Sequence, residues 1–159
     1  MVKMPKTSEV LALADVGFAV IPLRPGGKEP LPGSHGSRDA SREASQIRAW
    51  FDSYPERNVG IVTGAPSGFL VIDFDAYKEE ASASAKRLME RTGWLLFSTG
   101  LVATTPRGGY HYYYRIPDGR SFRSGQLPGY PGIDVKADGG YVVAPPSEVG
   151  GRQYKWVPV

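Results

Sequence analysis

The sequence contains no cysteine and only two histidines, His35 and His111. Without cysteine, the protein cannot form disulfide bonds, thiolate metal sites or a cysteine nucleophile. A bound metal ion would therefore need oxygen ligands or one of these two imidazoles. Oxygen-rich sites favour magnesium, manganese or calcium.

Long hydrophobic runs are also lacking. No apolar stretch approaches the roughly 20 residues that a membrane helix requires, and the N-terminus does not show the charged-then-apolar pattern of a signal peptide. We therefore expect a cytoplasmic protein without a membrane partner. The net charge of +3 is mildly basic, which is compatible with a polyanionic partner but does not require one.

The length of 159 residues fits one domain spanning residues 1–159. Twenty glycines and 14 prolines lie mostly between apolar runs, which indicates tight turns joining short elements. The patterns predict helices that begin near Thr7 or Ser8, near Asp39 or Ser41 and at Lys78, and that end at Gly17, Pro55 and Gly93. They predict strands over residues 18–23, 58–63, 101–105, 110–116, 132–136, 141–144 and 152–157, besides the strand described next.

The stretch Gly68–Tyr77 is an apolar run that ends in two aspartates, and its pattern predicts a strand buried on both faces. Because strand side chains alternate, Asp73 and Asp75 point to the same face, roughly 7 Å apart along the strand. This spacing suits a divalent metal ion between the two carboxylates. The preceding strand, over residues 58–63, is predicted to form a hairpin-like pair with this one.

Asp-x-Asp also has a plainer interpretation, in which Asp75 caps the following helix and Asp73 is a solvated strand end. The opposite face of the strand is wholly apolar, which favours a covered central strand instead. Two like charges converging there need a cation or hydrogen-bond donors to remain ionised. The metal interpretation is therefore favoured.

Residues 24–38 form a long irregular loop that carries Arg24, Lys28, His35 and Arg38, with Glu29 as its only acid. Such a loop is either a solvated connector or a phosphate-contacting loop, because long ordered loops in compact domains are often functional. The sequence leaves both alternatives open.

Two predicted hairpins in the second half of the chain carry further polar side chains. Alternation places His111 and Arg115 on one face of the strand over residues 110–116, an arrangement that suits an anion. It places Asp134 and Lys136 together on the strand over residues 132–136. This pair is either a surface ion pair or a third metal carboxylate beside a phosphate-binding cation. Three acids, one histidine and several cations suit two-metal phosphoryl or nucleotidyl transfer.

These motifs resemble a known family in their order along the chain. Three of them resemble the motifs of the archaeo-eukaryotic primase superfamily: Asp73-Phe-Asp75, Thr105-Pro-Arg-Gly-Gly-Tyr-His111, and Gly132-Ile-Asp134 followed by Gly139-Gly-Tyr-Val-Val-Ala-Pro-Pro-Ser147. More narrowly, the chain resembles the N-terminal bifunctional primase/polymerase (prim-pol) domain of phage and plasmid replication proteins, through flanking segments that include Gly17-Phe-Ala-Val-Ile-Pro-Leu23, Lys28-Glu-Pro30, Asn58-Val-Gly-Ile-Val-Thr-Gly64 and Tyr154-Lys-Trp156.

The resemblance implies an α+β fold in which an N-terminal αβ module packs beside a catalytic sheet similar to an RNA-recognition motif, with the site between them. It implies that the catalytic metal ligands are Asp73, Asp75 and Asp134, and that His111 contacts the phosphates of the incoming nucleotide. Lys28 matches the family's Gly-Lys-x-Pro segment. From their strand and turn positions, we predict further phosphate contacts by Arg107, Arg115 and Lys136.

The implied function is template-directed nucleotidyl transfer, with DNA primase and DNA polymerase activity in phage or plasmid replication and two Mg²⁺ or Mn²⁺ ions. The implied partners are a single-stranded DNA template or primer and nucleoside triphosphates, in the cytoplasm of a bacterial or archaeal host. Family members often carry a helicase in a longer protein, so a helicase domain or protein is a further expected partner. No Walker-type motif is present, which leaves an excised domain and a stand-alone version as alternatives.

Some relatives carry a cysteine-bound zinc element, which this sequence lacks, so primer extension is a firmer expectation than primer synthesis. Two other functions remain open. One is a catalytically silent module that binds single-stranded DNA through Arg120, Arg123 and exposed tyrosines. The other is a metal-dependent nuclease that uses the same carboxylates.

Overall fold

The computed structural model describes residues 6–93 and 99–158. Its helices are α1 (Lys6–Val16), α2 (Ala44–Phe51) and α3 (Glu79–Thr92), with a 3₁₀ helix over Gly36–Asp39. Its strands are β1 (Val20–Leu23), β2 (Asn58–Val62), β3 (Phe69–Phe74), β4 (Val102–Thr104), β5 (Tyr110–Arg115), β6 (Gly125–Gln126), β7 (Ile133–Lys136), β8 (Tyr141–Ala144), β9 (Glu148–Val149), β10 (Arg152–Gln153) and β11 (Lys155–Trp156). The predicted α+β class is confirmed. No helix of the described ranges is long and apolar enough to cross a membrane.

The larger sheet has six antiparallel strands in the order β11-β4-β5-β3-β7-β6, with β3 near its centre. The β3–α3–β4 unit is a split β-α-β arrangement, because β5 lies between β3 and β4. The order β7-β3-β5-β4 is that of an RNA-recognition motif, which agrees with the predicted fold of this sheet. Between β5 and β7 all residues are described, and they contain the short strand β6 where that motif has its second helix.

The smaller sheet, β1-β2-β8, belongs to the N-terminal module and is also antiparallel. Helices α1 and α2 pack on it through a buried core that includes Val10, Ile47 and Phe51. Strand β1 lies at the edge of this sheet, where Pro22 is tolerated because one side of the strand needs no hydrogen-bonded partner. The third strand, β8, comes from the second half of the chain, so the module is not built from the N-terminal segment alone.

Two predicted hairpins, β2–β3 and β7–β8, are wrong because the two strands of each pair belong to different sheets. Gly64, two residues after the end of β2, forms a single bridge with Phe69 at the start of β3, and the two strands belong to different sheets. Strands β7 and β8 separate in the same way. The chain passes from one sheet to the other after β2 and again between β7 and β8. Hydrogen bonds join these two segments, because Thr63 donates to the carbonyls of Ala137 (2.7 Å) and Gly140 (3.0 Å). Gly64 has φ of +82° there, and a Cβ atom would lie 2.7 Å from Asp138 Cα.

The predicted hairpin between β4 and β5 is confirmed by its register, in which Ala103 pairs with His111. Its turn requires Gly109, where a Cβ atom would lie 2.8 Å from the carbonyl oxygen of Phe74. Helix α2 begins later than predicted, because Asp39 instead belongs to the 3₁₀ helix and Ser41 pairs with Val20. The last predicted strand, over residues 152–157, is divided into β10 and β11.

Alternate residues of β3 bury two separate cores, as the strand pattern predicts. Phe69 and Val71 pack with the N-terminal module, on the side that we call the cleft face of the sheet. Ile72 and Phe74 pack with Ala81 of α3 and its neighbours, on the side that we call the helix face. Asp73 follows the alternation and belongs to the cleft face.

Candidate active site

A row of three ionisable side chains crosses the centre of the large sheet. Asp73 on β3 is directly opposite His111 on β5 and directly opposite Asp134 on β7. Residues directly opposite each other in antiparallel strands project from the same face of the sheet. The structure therefore brings together three residues that lie far apart in the sequence.

Asp73 is the electrostatic centre of this row. Its side chain is 25% exposed, and its Oδ1 lies 3.4 Å from Nε2 of His111. Burial raises the pKa of Asp73. The hydrogen bond and charge of His111, together with the charges of Lys136 and Lys28, lower it by more, so the pKa lies below its usual value. Asp73 is therefore a carboxylate at neutral pH.

His111 is almost fully buried, with 5% of its surface exposed. Its ring lies 5.8 Å from the ring of Tyr154, measured between centroids. Its Nδ1 has no hydrogen-bond partner among residues 6–93 and 99–158, so Asp73 is the polar group that orients the imidazole in this structure.

Asp75 lies one residue beyond the end of β3. Its backbone N–H donates to the carbonyl of Gly132 (3.2 Å), and its carboxylate accepts a hydrogen bond from Lys78 Nζ (2.9 Å). The hydrogen bond and the charge of Asp75 raise the pKa of Lys78. Asp75 is thus held at the end of β3 by the strand on one side and by the start of α3 on the other.

Two adjoining cavities open over this row. The first has a volume of about 440 Å³ and the second about 520 Å³. They share Lys28, Asp73, His111 and Tyr154, so they form one continuous cleft with Asp73 at the junction. Because β8 supplies part of the second wall, the cleft lies between the large sheet and the N-terminal module. Residues that line only one cavity include Asp75, Tyr77, Thr105, Arg107 and Arg152 in the first, and Ser124, Lys136, Gly139, Gly140 and Tyr141 in the second.

Three of the four predicted cations reach the cleft. Lys28 lines both cavities, Arg107 lines the first, and Lys136 lines the second. The guanidinium of Arg107 also lies over the ring of Tyr77, 4.6 Å from its centroid.

From the loop over residues 24–38, which is described throughout, only Lys28 lines the cleft, whereas Arg24 lies near Glu29 and His35 near Asp39. The phosphate-contacting interpretation of that loop is therefore supported at Lys28.

Arg115 is not brought to the cleft. It pairs with Phe69 at the other end of β5 and lies over that ring, 4.8 Å from its centroid. Arg115 lies four residue steps along the strand from His111, which corresponds to roughly 13 Å. Asp134 lies beside Asp73 in the row but lines neither cavity.

Several cleft residues come from the end of the chain and have no local signal in the sequence. Tyr154 is buried between the two cavities, and burial together with the charge of Asp73 raises its pKa to about 12. Arg152 lines the first cavity, and its Nη1 donates to the carbonyl of Pro106 (3.4 Å). Tyr154 belongs to a segment that resembles the family, but nothing in its sequence neighbourhood indicates contact with the acids.

The donor set can be compared with the needs of a divalent ion. Within residues 6–93 and 99–158, no group of three or more His, Asp or Glu side chains is arranged to hold a metal ion. Asp73 and Asp75 instead face His111 and Lys78. The chemistry nevertheless fits, because Asp73, Asp75 and the neighbouring Asp134 offer the carboxylate oxygens that magnesium and manganese prefer.

The fold and the cleft together define a mixed α+β domain with an acidic site on an antiparallel sheet, between two cavities lined with cations. The chain belongs to the family of the bifunctional DNA primase/polymerase N-terminal domain (Prim-Pol), whose model matches residues 10–159. Comparison with curated proteins gave no match. Membership implies DNA primase or polymerase activity at the level of the family, which is a nucleotidyltransferase activity on DNA and nucleotides, and enzymes of this family generally depend on a divalent metal.

Proposed function

We propose that this protein is a template-directed nucleotidyltransferase that acts as a DNA primase and DNA polymerase in phage or plasmid replication. A 3′-hydroxyl of a primer, or of the first nucleotide, attacks the α-phosphate of a nucleoside triphosphate. A new phosphorus–oxygen bond forms, the bond between the α-phosphorus and the pyrophosphate oxygen breaks, and the hydroxyl proton passes to solvent water. The observation that carries the proposal is the position of Asp73, between His111 and Asp134 and at the junction of two cavities.

In this proposal Asp73, Asp75 and Asp134 would hold two Mg²⁺ or Mn²⁺ ions. Bound there, the ions would activate the attacking hydroxyl and stabilise the charge that develops on phosphorus. Asp73 suits this role because it stays ionised despite its partial burial. Lys78, which contacts Asp75 on the exposed side, compensates the second carboxylate.

The phosphates of the nucleotide bind in the first cavity. His111 lies at the floor of that cavity beside Asp73, and Lys28 and Arg107 supply positive charge from its walls. Arg152 adds a fourth nitrogen donor that the sequence does not predict. Lys136, in the second cavity, lies on the other side of Asp73. Charge-assisted hydrogen bonds from such groups stabilise a departing pyrophosphate.

The experiment is incorporation of labelled nucleotides on primed and unprimed single-stranded templates, with Mg²⁺ or Mn²⁺. The test variant is Asp73→Ala/Asp75→Ala. The matched control is Asp15→Ala/Asp52→Ala, which removes two carboxylates that are exposed and lie outside the cleft. We expect activity in the parent and the control and none in the test variant, with circular dichroism showing that all three are folded.

Activity on both templates would establish priming as well as extension, whereas activity on the primed template alone would restrict the protein to extension. Unchanged activity in Asp73→Ala/Asp75→Ala would overturn the assignment. Strand cleavage without added nucleotides would indicate a nuclease. DNA binding by a folded but inactive parent would favour a silent binding module, whose platform could not include Tyr112 or Tyr113, since each is 1% exposed.

A further inference from the structure

A cationic and aromatic surface lies beside the second cavity, on the segment between β5 and β6. Arg120 and Arg123 are exposed, and neither forms an ion pair within the described part of the chain. Phe122, between them, is half-buried, and the guanidinium of Arg120 lies 5.6 Å from the centroid of its ring. We call these three residues the Arg120–Arg123 platform.

The platform is fixed to the sheet by a set of hydrogen bonds. The carbonyl of Phe122 accepts from Asp138 N (3.1 Å). Ser124 Oγ accepts from Ala137 N (2.8 Å) and donates to the carbonyl of Asp138 (3.1 Å). Asp138, the neighbouring acid, is itself engaged, since its Oδ1 accepts from Ala65 N (3.0 Å). The platform is therefore preformed, and its two guanidinium groups remain available to a ligand.

The platform continues into the cleft. Ser124, the residue after Arg123, lines the second cavity together with Lys136, and that cavity leads to Asp73. Positive charge thus follows one path from the surface to the acidic row. A partly exposed aromatic ring beside cations that follow a groove is a combination that binds unpaired bases and their phosphates, and Phe122 is such a ring.

We propose that the Arg120–Arg123 platform docks a single-stranded polynucleotide, which enters the cleft through the second cavity. The direction of entry rests on the proposed function. In that reaction the attacking hydroxyl lies opposite the departing pyrophosphate. Because the first cavity holds the phosphates between Arg107 and Arg152, the polynucleotide approaches Asp73 from the opposite side, where Lys136 and the platform lie.

The test is fluorescence anisotropy of a labelled single-stranded oligothymidylate over a series of salt concentrations, without nucleotide or divalent metal. The test variant is Arg120→Ala/Arg123→Ala. The control is Lys86→Ala/Arg91→Ala, which removes the same charge from the exposed side of α3, on the far face of the sheet. We expect the test variant to bind on the order of tenfold more weakly at 0.1 M salt, with the slope of log K against log salt reduced by about 0.7 for each cation removed.

A second variant, Phe122→Ala, separates stacking from charge. We expect weaker binding by at least about fivefold with an unchanged salt slope, because base stacking releases no counterions. Phe122→Tyr should bind like the parent, which would show that the loss comes from the ring and not from disturbed folding. Equal losses in the test variant and the Lys86→Ala/Arg91→Ala control, or parent-like binding by both platform variants, would overturn the proposal.

This assay requires no catalysis, so it distinguishes the two proposals. A platform that binds the oligonucleotide in a protein without polymerase activity would overturn the proposed function alone. Normal polymerase activity with parent-like binding by the platform variants would overturn the docking surface alone.

Discussion

The two faces of the large sheet differ although they are made by the same strands. On the helix face, Ile72, Phe74 and Ile133 pack against α3 in a continuous apolar core. On the cleft face, apolar packing against the N-terminal module stops after Val71, and the next residue on that face is Asp73. The acidic site therefore forms where one core ends, while the opposite core continues beneath it. The partly desolvated carboxylate of Asp73 is therefore held by a strand whose opposite face is packed in an apolar core.

The largest effect should follow from Asp73→Asn, which removes the charge from the cleft face and preserves the shape of the side chain. We expect primer extension to fall by at least about a hundredfold, since groups that stabilise transition-state charge contribute on this scale. Because the amide oxygen can still accept a hydrogen bond from His111 but carries no charge, the free energy of unfolding should fall by no more than about 2 kcal/mol. A labelled-nucleotide extension assay and urea unfolding measure the two effects.

The matched control is Phe74→Leu, one residue further along β3 and on the helix face. This change should lower the free energy of unfolding by about 1 kcal/mol and leave extension by the folded protein within a few fold of the parent. If Phe74→Leu slowed extension as much as Asp73→Asn, the two faces would not be functionally separate.

The separation of the faces could be predicted from the sequence because it depends on local geometry. A strand has a side-chain period of two, so the assignment of Asp73 to one face and Phe74 to the other needs only the strand itself. The β4–β5 hairpin is also local, since the Gly108-Gly109 turn joins consecutive strands. The ends of α1 and α3 follow from Gly17 and Gly93, whose φ values of +111° and +69° suit glycine.

The non-local pairings could not be predicted in this way. The strand pattern of β8 is compatible with pairing to β7, and its actual partner, β2, is about 80 residues away in the chain. The hydrogen bond from Thr63 N to the carbonyl of Gly140, which lies where the chain leaves β2 and enters β8, has no sequence signature. Arg152 and Tyr154 reach the cleft for the same reason, because the end of the chain folds back beside β4.

A second test, of the helix face, is Ile133→Ala on β7. Ile133 is fully buried, and it precedes Asp134, which belongs to the cleft face. Loss of the side chain should lower the free energy of unfolding by about 2–5 kcal/mol, measured by urea denaturation. Since the cleft residues are untouched, the folded fraction should keep the nucleotide KM of the parent. A raised KM at full folding would show that the helix-face core also positions the acids.

Smaller effects are expected from the cations of the cleft. Arg107 is exposed at the rim of the first cavity, so Arg107→Ala should leave the free energy of unfolding within about 0.5 kcal/mol of the parent. The nucleotide KM should rise by about tenfold, because a hydrogen bond to a charged group contributes on the order of 1.5 kcal/mol. Steady-state extension at varied nucleotide concentration measures this. An unchanged KM would remove Arg107 from the phosphate site.

The smallest effect should follow from Arg115→Ala. The strand pattern of the sequence predicts that Arg115 contacts phosphate, but the structure places it outside the cleft. Arg115 shares the face of His111 but lies at the opposite end of β5, over the ring of Phe69. Losing this contact should cost less than about 1 kcal/mol of stability. The nucleotide KM should stay within about twofold of the parent, because Arg115 lies far from the cavities. Strand alternation predicts which face a side chain occupies, but it does not predict how far along that face the site extends. If Arg115→Ala and Arg107→Ala raised KM equally, phosphates would bind along the whole of β5, and the cleft face would be functional beyond the point where its apolar packing begins.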